Sequence, residues 1–113
     1  MSDKLEPGTV VVVMYFPHQE DRTKGEPRWV IVTEDLQDKL EIVPMTSQTD
    51  QLNRYPKGFI ISDKSAEGKL MGLEGPSLFM PERKVIKDKI AFSKGMVKGK
   101  CSDDFLDNLI ALL

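Results

Sequence analysis

Two polar marks stand out against apolar runs in this chain. Arg28 opens the run Trp29-Val30-Ile31-Val32, and Thr46-Ser47-Gln48 follows Ile42-Val43-Pro44-Met45 directly. A strand that starts at an arginine and a strand that ends in hydroxyls bring them together when the two lie side by side. A guanidinium offers forked donors that match phosphate oxygens. A threonine hydroxyl adds one more hydrogen bond. The pair is therefore suited to a phosphate. The alternative for Arg28 is a surface arginine pairing with Glu26 or Asp35. For Thr46 and Ser47 it is a turn, because hydroxyls bond nearby backbone there.

Other chemistries find little support. One His, one Cys and no carboxylates clustered at ligand spacing argue against a metal centre. No Gly-x-Ser-x-Gly elbow, Gly-x-Gly-x-x-Gly fingerprint or Walker-type loop occurs. No cofactor is expected. His18 has an intrinsic pKa suited to proton transfer and sits in a polar loop, where an exposed histidine is the ordinary case. Cys101 precedes a helix start, which can lower a thiol pKa, but a packed residue is the plainer reading.

These side chains need elements to position them. With 113 residues, 40% hydrophobic and 30% charged, the chain is expected to form one domain over residues 1–113 around one core. No apolar run reaches the ~18 residues of a membrane span, so no membrane is expected. The polar start and the single cysteine suggest an intracellular, cytoplasmic protein. The net charge is −2, yet Glu82 to Lys100 carries +5 and the remainder −7. That stretch is either a face for phosphate or a solvated lysine-rich hairpin.

Strands are expected at 9–16, 28–33, 40–45, 59–62 and 76–80, with 85–92 continuing the sheet. Residues 17–27 read as a loop, 46–58 as irregular, 64–72 as a loop or one helical turn, 82–84 as a bend and 94–100 as a turn. The last segment predicts a helix. Ser102 is the N-cap, and Asp103 and Asp104 complement the dipole. Phe105, Leu106, Leu109, Ile110 and Leu113 fall on one face, which must cover either the sheet or a partner subunit. Short strands with one closing helix give a mainly β fold, a small, strongly bent β-barrel with a C-terminal α-helix.

The order Pro7-Gly8-Thr9-Val10-Val11-Val12-Val13, Phe16-Pro17, Gly25-Glu26-Pro27-Arg28-Trp29-Val30-Ile31-Val32 and Ile42-Val43-Pro44-Met45-Thr46-Ser47-Gln48 resembles the MazF/PemK toxin family. The resemblance spans most of the chain and is sharpest over residues 8–48. It implies an SH3-like barrel, a homodimer and a cognate antitoxin protein. It also implies a metal-independent endoribonuclease that cuts single-stranded RNA through 2′-OH attack. On the matching positions, Arg28 and Thr46 become catalytic and Ser47 a hydroxyl neighbour. Gln48, His18, Trp29, Glu82 and Arg83 become candidate substrate contacts. Trp29 stands where the family usually has proline; it either stacks on a base or packs into the barrel wall. Thr9 replaces a usual Asp, and the family's late motif is blurred over Pro81 to Lys87. The alternative function is a non-catalytic binding protein on the same fold. It would be either a CcdB-like gyrase inhibitor, whose C-terminal aromatic this chain lacks, or a degenerate RNA- or protein-binding member.

Overall fold

The computed structural model describes residues 5–17, 25–92 and 95–113. The order is β1 (Thr9–Pro17), β2 (Gly25–Asp35), β3 (Lys39–Thr46), β4 (Phe59–Ile61), α1 (Ala66–Leu70), β5 (Ser77–Phe79), β6 (Val85–Asp88), β7 (Met96–Lys100) and α2 (Asp103–Ala111). Short 3₁₀ helices occupy Thr49–Arg54, Pro81–Arg83 and Lys89–Phe92. The fold is mainly β, a strongly curled antiparallel sheet closed by a C-terminal helix.

The sheet runs β4-β5-β3-β2-β1-β7, and β6 also pairs with β3. Its central strands lack a polar side because apolar clusters cover both faces. Val10, Ile31, Val43 and Met45 belong to one cluster, with Met71, Phe79 and Leu109. Val11, Val13, Val30, Val32, Leu40, Ile42 and Phe92 form the other. Alternate residues of one strand thus enter different cores, which is why the sequence shows unbroken valine runs.

The curl follows from register breaks between Val13 and Phe16, Val32 and Glu34, and Val10 and Val11. Each extra residue bends its strand and increases local twist. At the second break the buried Thr33 donates through Oγ1 to the Glu41 carbonyl (3.1 Å) and to Glu41 Oε1 (2.8 Å).

The outer edge of β3 is shared. Lys39 to Ile42 pair with β6, and Met45 and Thr46 pair with β5. Pro44 falls in the gap between these ladders. Its carbonyl accepts from Met80 N at 3.1 Å, so its missing N–H would also point to this edge. Proline is tolerated there because no ladder donor is needed.

Helix α2 starts as expected. Ser102 Oγ accepts from Phe105 N at 3.2 Å. The same serine is gripped by Glu67 in the first turn of α1: its N donates to Oε2 and its Oγ to Oε1, each at 2.7 Å. Phe105, Leu106, Leu109 and Leu113 cover the first core, so the helix face is spent inside the chain. Ile110 lies to the side and is exposed. Phe79 stacks on Phe59 at 5.1 Å, and Phe105 meets both rings edge-on.

Several expectations shift. Residues 96–100 form β7 rather than a turn, because Val97 and Gly99 ladder with β1. Residues 89–92 turn into a 3₁₀ helix instead of extending the sheet, burying Phe92. Gly25 to Pro27 belong to β2, so Arg28 lies inside that strand and not at its entrance. The segment 64–72, read as a loop or one helical turn, holds the short helix α1, capped by Ser65 Oγ accepting from Gly68 N. No helix among the described residues is long and apolar enough to cross a membrane.

Candidate functional site

The pairing of β2 with β3 is Trp29↔Met45, Val30↔Pro44, Ile31↔Val43 and Val32↔Ile42. One further step of this register sets Arg28 opposite Thr46. Directly opposed residues of an antiparallel pair share a sheet face and lie within side-chain reach. The ladder itself ends at Trp29↔Met45, and Arg28 and Thr46 come together as lining of one pocket where β3 ends. Arg28 is also paired on its other side with Val13 of β1, so its backbone sits between two strands.

A pocket of about 540 Å³ opens at this point. Arg28, Trp29, Met45, Thr46, Ser47 and Gln48 supply one stretch of its lining, and Glu74, Gly75, Pro76 and Ser77 the other. The two are neighbours because β5 begins at Ser77 and pairs Leu78 with Thr46. Thr46 Oγ1 accepts from Gln48 N at 3.1 Å, the turn geometry expected of a hydroxyl after a strand. An oxygen used as acceptor keeps its O–H proton available to donate. Gln48 Oε1 accepts from Gln51 Nε2 at 2.9 Å, which ties the loop to the following 3₁₀ turn.

Trp29 packs into the barrel wall, the second of the two roles considered for it. It is half-buried against the first core, and it lines the pocket. Lys98 Nζ sits 5.2 Å from its ring centroid, close enough for a cation–π attraction. The same Nζ is 2.9 Å from Glu74 Oε2. The chain of contacts Trp29–Lys98–Glu74 thus joins β2, β7 and the Glu74 turn at the pocket.

The remaining candidates lie elsewhere. Glu82 and Arg83 are exposed on the 3₁₀ turn Pro81–Arg83 and do not line the pocket. Glu82 Oε2 accepts from Lys57 N, so this carboxylate holds the turn before β4. His18 lies outside the described residues. Among the described residues no group of three His, Cys, Asp or Glu is placed to hold a metal.

Three lysines of the basic stretch are in ion pairs. Lys89 meets Asp35 at 2.8 Å, Lys98 meets Glu74, and Lys100 meets Glu6 at 3.1 Å. Such exposed pairs contribute little stability, but they shorten the reach of the +5 charge. Cys101 is buried, with its N–H donating to the Gly8 carbonyl at 3.0 Å. Burial and the nearby Glu67 charge push its thiol up to about 11, opposite to an activated cysteine.

The sequence reading missed Glu74 to Ser77. The one local signal was Gly75-Pro76, a turn dipeptide that says nothing of a pocket. The decisive feature is steric. Gly72 has φ +69°, and a Cβ there would strike the Lys98 carbonyl. A Cβ on Gly99 would strike the Leu70 carbonyl. The two glycines let the end of α1 press directly onto β7, and this contact carries Glu74 to Lys98. Comparison with protein-family models finds no match for this chain, and comparison with curated proteins finds none either.

Proposed function

We propose that this protein is a metal-independent endoribonuclease of the MazF/PemK kind, the cytoplasmic toxin of a toxin–antitoxin pair, acting on single-stranded RNA. The observation that carries the reading is the juxtaposition of Arg28 and Thr46 across β2 and β3 at the pocket, with Ser47 beside them. In this reading the 2′-oxygen of the substrate attacks the adjacent phosphorus. The bond to the 5′-oxygen breaks, leaving a 2′,3′-cyclic phosphate and a 5′-OH. Arg28 donates to the non-bridging oxygens as charge gathers on them. Thr46, whose oxygen already accepts from Gln48 N, turns its proton to the same oxygens. Arg28 is not a base, since guanidinium stays protonated, so water takes the 2′-OH proton and returns one to the 5′-oxygen. The same resemblance brings a cognate antitoxin and a homodimer. The exposed Ile90, Met96 and Val97, two of them on the edge strand β7, offer apolar surface for such partners.

A second reading, a non-catalytic RNA- or protein-binding protein on this fold, draws on the pairing of Lys89, Lys98 and Lys100 with acids. RNA of mixed sequence incubated with the protein in EDTA separates the two. The expected result is cyclic-phosphate ends, with Arg28→Ala, checked to be folded, slower by about 100-fold or more. Intact RNA across many sequences would reject the nuclease.

A further inference from the structure

Glu74 is a poor neighbour for a phosphate, because two negative charges in one pocket repel. Its presence divides the lining by chemistry. Arg28, Thr46 and Ser47 suit an anion. Glu74 presents only acceptors and suits a neutral group with N–H donors. Its placement is built: Gly72 and Gly99 allow the close approach that seats it, and Lys98 holds Oε2 at 2.9 Å while resting on Trp29. That ion pair uses Oε2 as one acceptor, and because each carboxylate oxygen has two lone pairs both oxygens can still accept from a ligand. The carboxylate is itself exposed, so a ligand can reach it.

We propose that Glu74 reads a guanine base, and that Lys98 is the residue that positions it. The inference deepens the reading of the pocket as a ribonucleotide site and rests on it. Single-stranded RNA is recognised on the Watson–Crick edges of unstacked bases. Guanine alone presents two adjacent donors there, N1–H and the 2-amino group, which match the two oxygens of one carboxylate. Adenine and cytosine offer a single amino group beside a ring acceptor. Uracil flanks its one N–H with two carbonyls, which a carboxylate repels. The guanine enters at Glu74 and its phosphate lies toward Arg28 and Thr46. Trp29 serves as a wall, since Lys98 occupies a face of its ring.

The test is titration of the full chain with GMP, IMP, AMP, CMP and UMP, followed by calorimetry. GMP is expected to bind tightest. IMP, which lacks only the 2-amino group, is expected about tenfold weaker, the loss of one hydrogen bond to a charged group. Glu74→Gln should bring all five close to one affinity, and Lys98→Met should weaken the guanine preference without abolishing it. Equal binding of GMP and IMP by the native chain, or an undiminished preference in Glu74→Gln, overturns the proposal. Cleavage of RNA in EDTA separates its failure from that of the nuclease reading. A Glu74→Gln protein that cuts every sequence more slowly by one common factor leaves the nuclease standing and removes the guanine reader. Guanine-selective binding with no cleavage does the reverse.

Discussion

Arg28 and Thr46 reach the pocket from adjacent strands whose pairing is fixed by buried residues on both faces of the sheet. Glu74 to Ser77 reach it through a turn that α1 and β7 press into place, with two glycines making room. In the first stretch the order of residues along a strand decides position. A slip by one residue would turn Ile31 and Val43 out of one core and into the other. In the second stretch nothing periodic holds the chain. Its position depends on a backbone-to-backbone contact that any side chain at Gly72 or Gly99 would prevent. The lesson is that the two kinds of wall should fail differently.

The largest effect is expected at that contact. Gly99→Val should destabilise the fold by roughly 3 kcal/mol, the cost of forcing extra carbons into a filled space. Gly75→Ala is its control, because a Cβ at Gly75 meets nothing within 4 Å; it should stay within about 0.5 kcal/mol of the native protein. Urea unfolding measures both. Similar losses for the two glycines would mean that the Leu70–Gly99 approach does not hold the second wall. A smaller stability effect is expected at the strand wall. Thr46→Val removes the acceptor for Gln48 N, an exposed bond, and should cost about 0.5–1 kcal/mol. If the nuclease reading holds, RNA cleavage falls by about tenfold or more in the same variant; cleavage at the native rate would show the hydroxyl to be a turn residue only.

The smallest effect concerns the core between the walls. Cys101 has its thiol pushed up to about 11 by burial first and Glu67 second. In an unfolded chain a thiol ionises near ~8.5. Between those values the unfolded chain binds fewer protons than the native one. The contribution to stability is therefore full below about pH 8.5 and is lost as pH rises toward 11. Cys101→Ala should flatten that part of the alkaline decline, read from urea melts at pH 8 and pH 10.5. An identical decline in the variant would mean that the thiol does not carry it.

Much of the fold was legible. The valine runs and their turn signals marked the central strands to within a few residues, because a strand buried on both faces needs an unbroken apolar run. Ser102-Asp103-Asp104 marked the start of α2, because a capping hydroxyl and two carboxylates suit the donors left open at a helix N-terminus. Strand β7 was not legible. Lys94 to Lys100 holds two glycines and few apolar residues, and Met96–Lys100 is a strand because it ladders with the edge of β1. Ile110 fits the apolar helix face by spacing yet lies outside the packed core and is exposed.

For the site, the sequence by itself marked Arg28 and Thr46, one wall of the pocket. Arg28 and Thr46 flank the last pair of the β2–β3 ladder, Trp29 and Met45, and the apolar pattern of the two strands sets that register. Only the tertiary structure decided the other half. Glu74 is 46 residues from Arg28, and neither periodicity nor composition links them. They share a pocket because Gly72 and Gly99 permit two backbones to touch, a steric fact that depends on which segments meet.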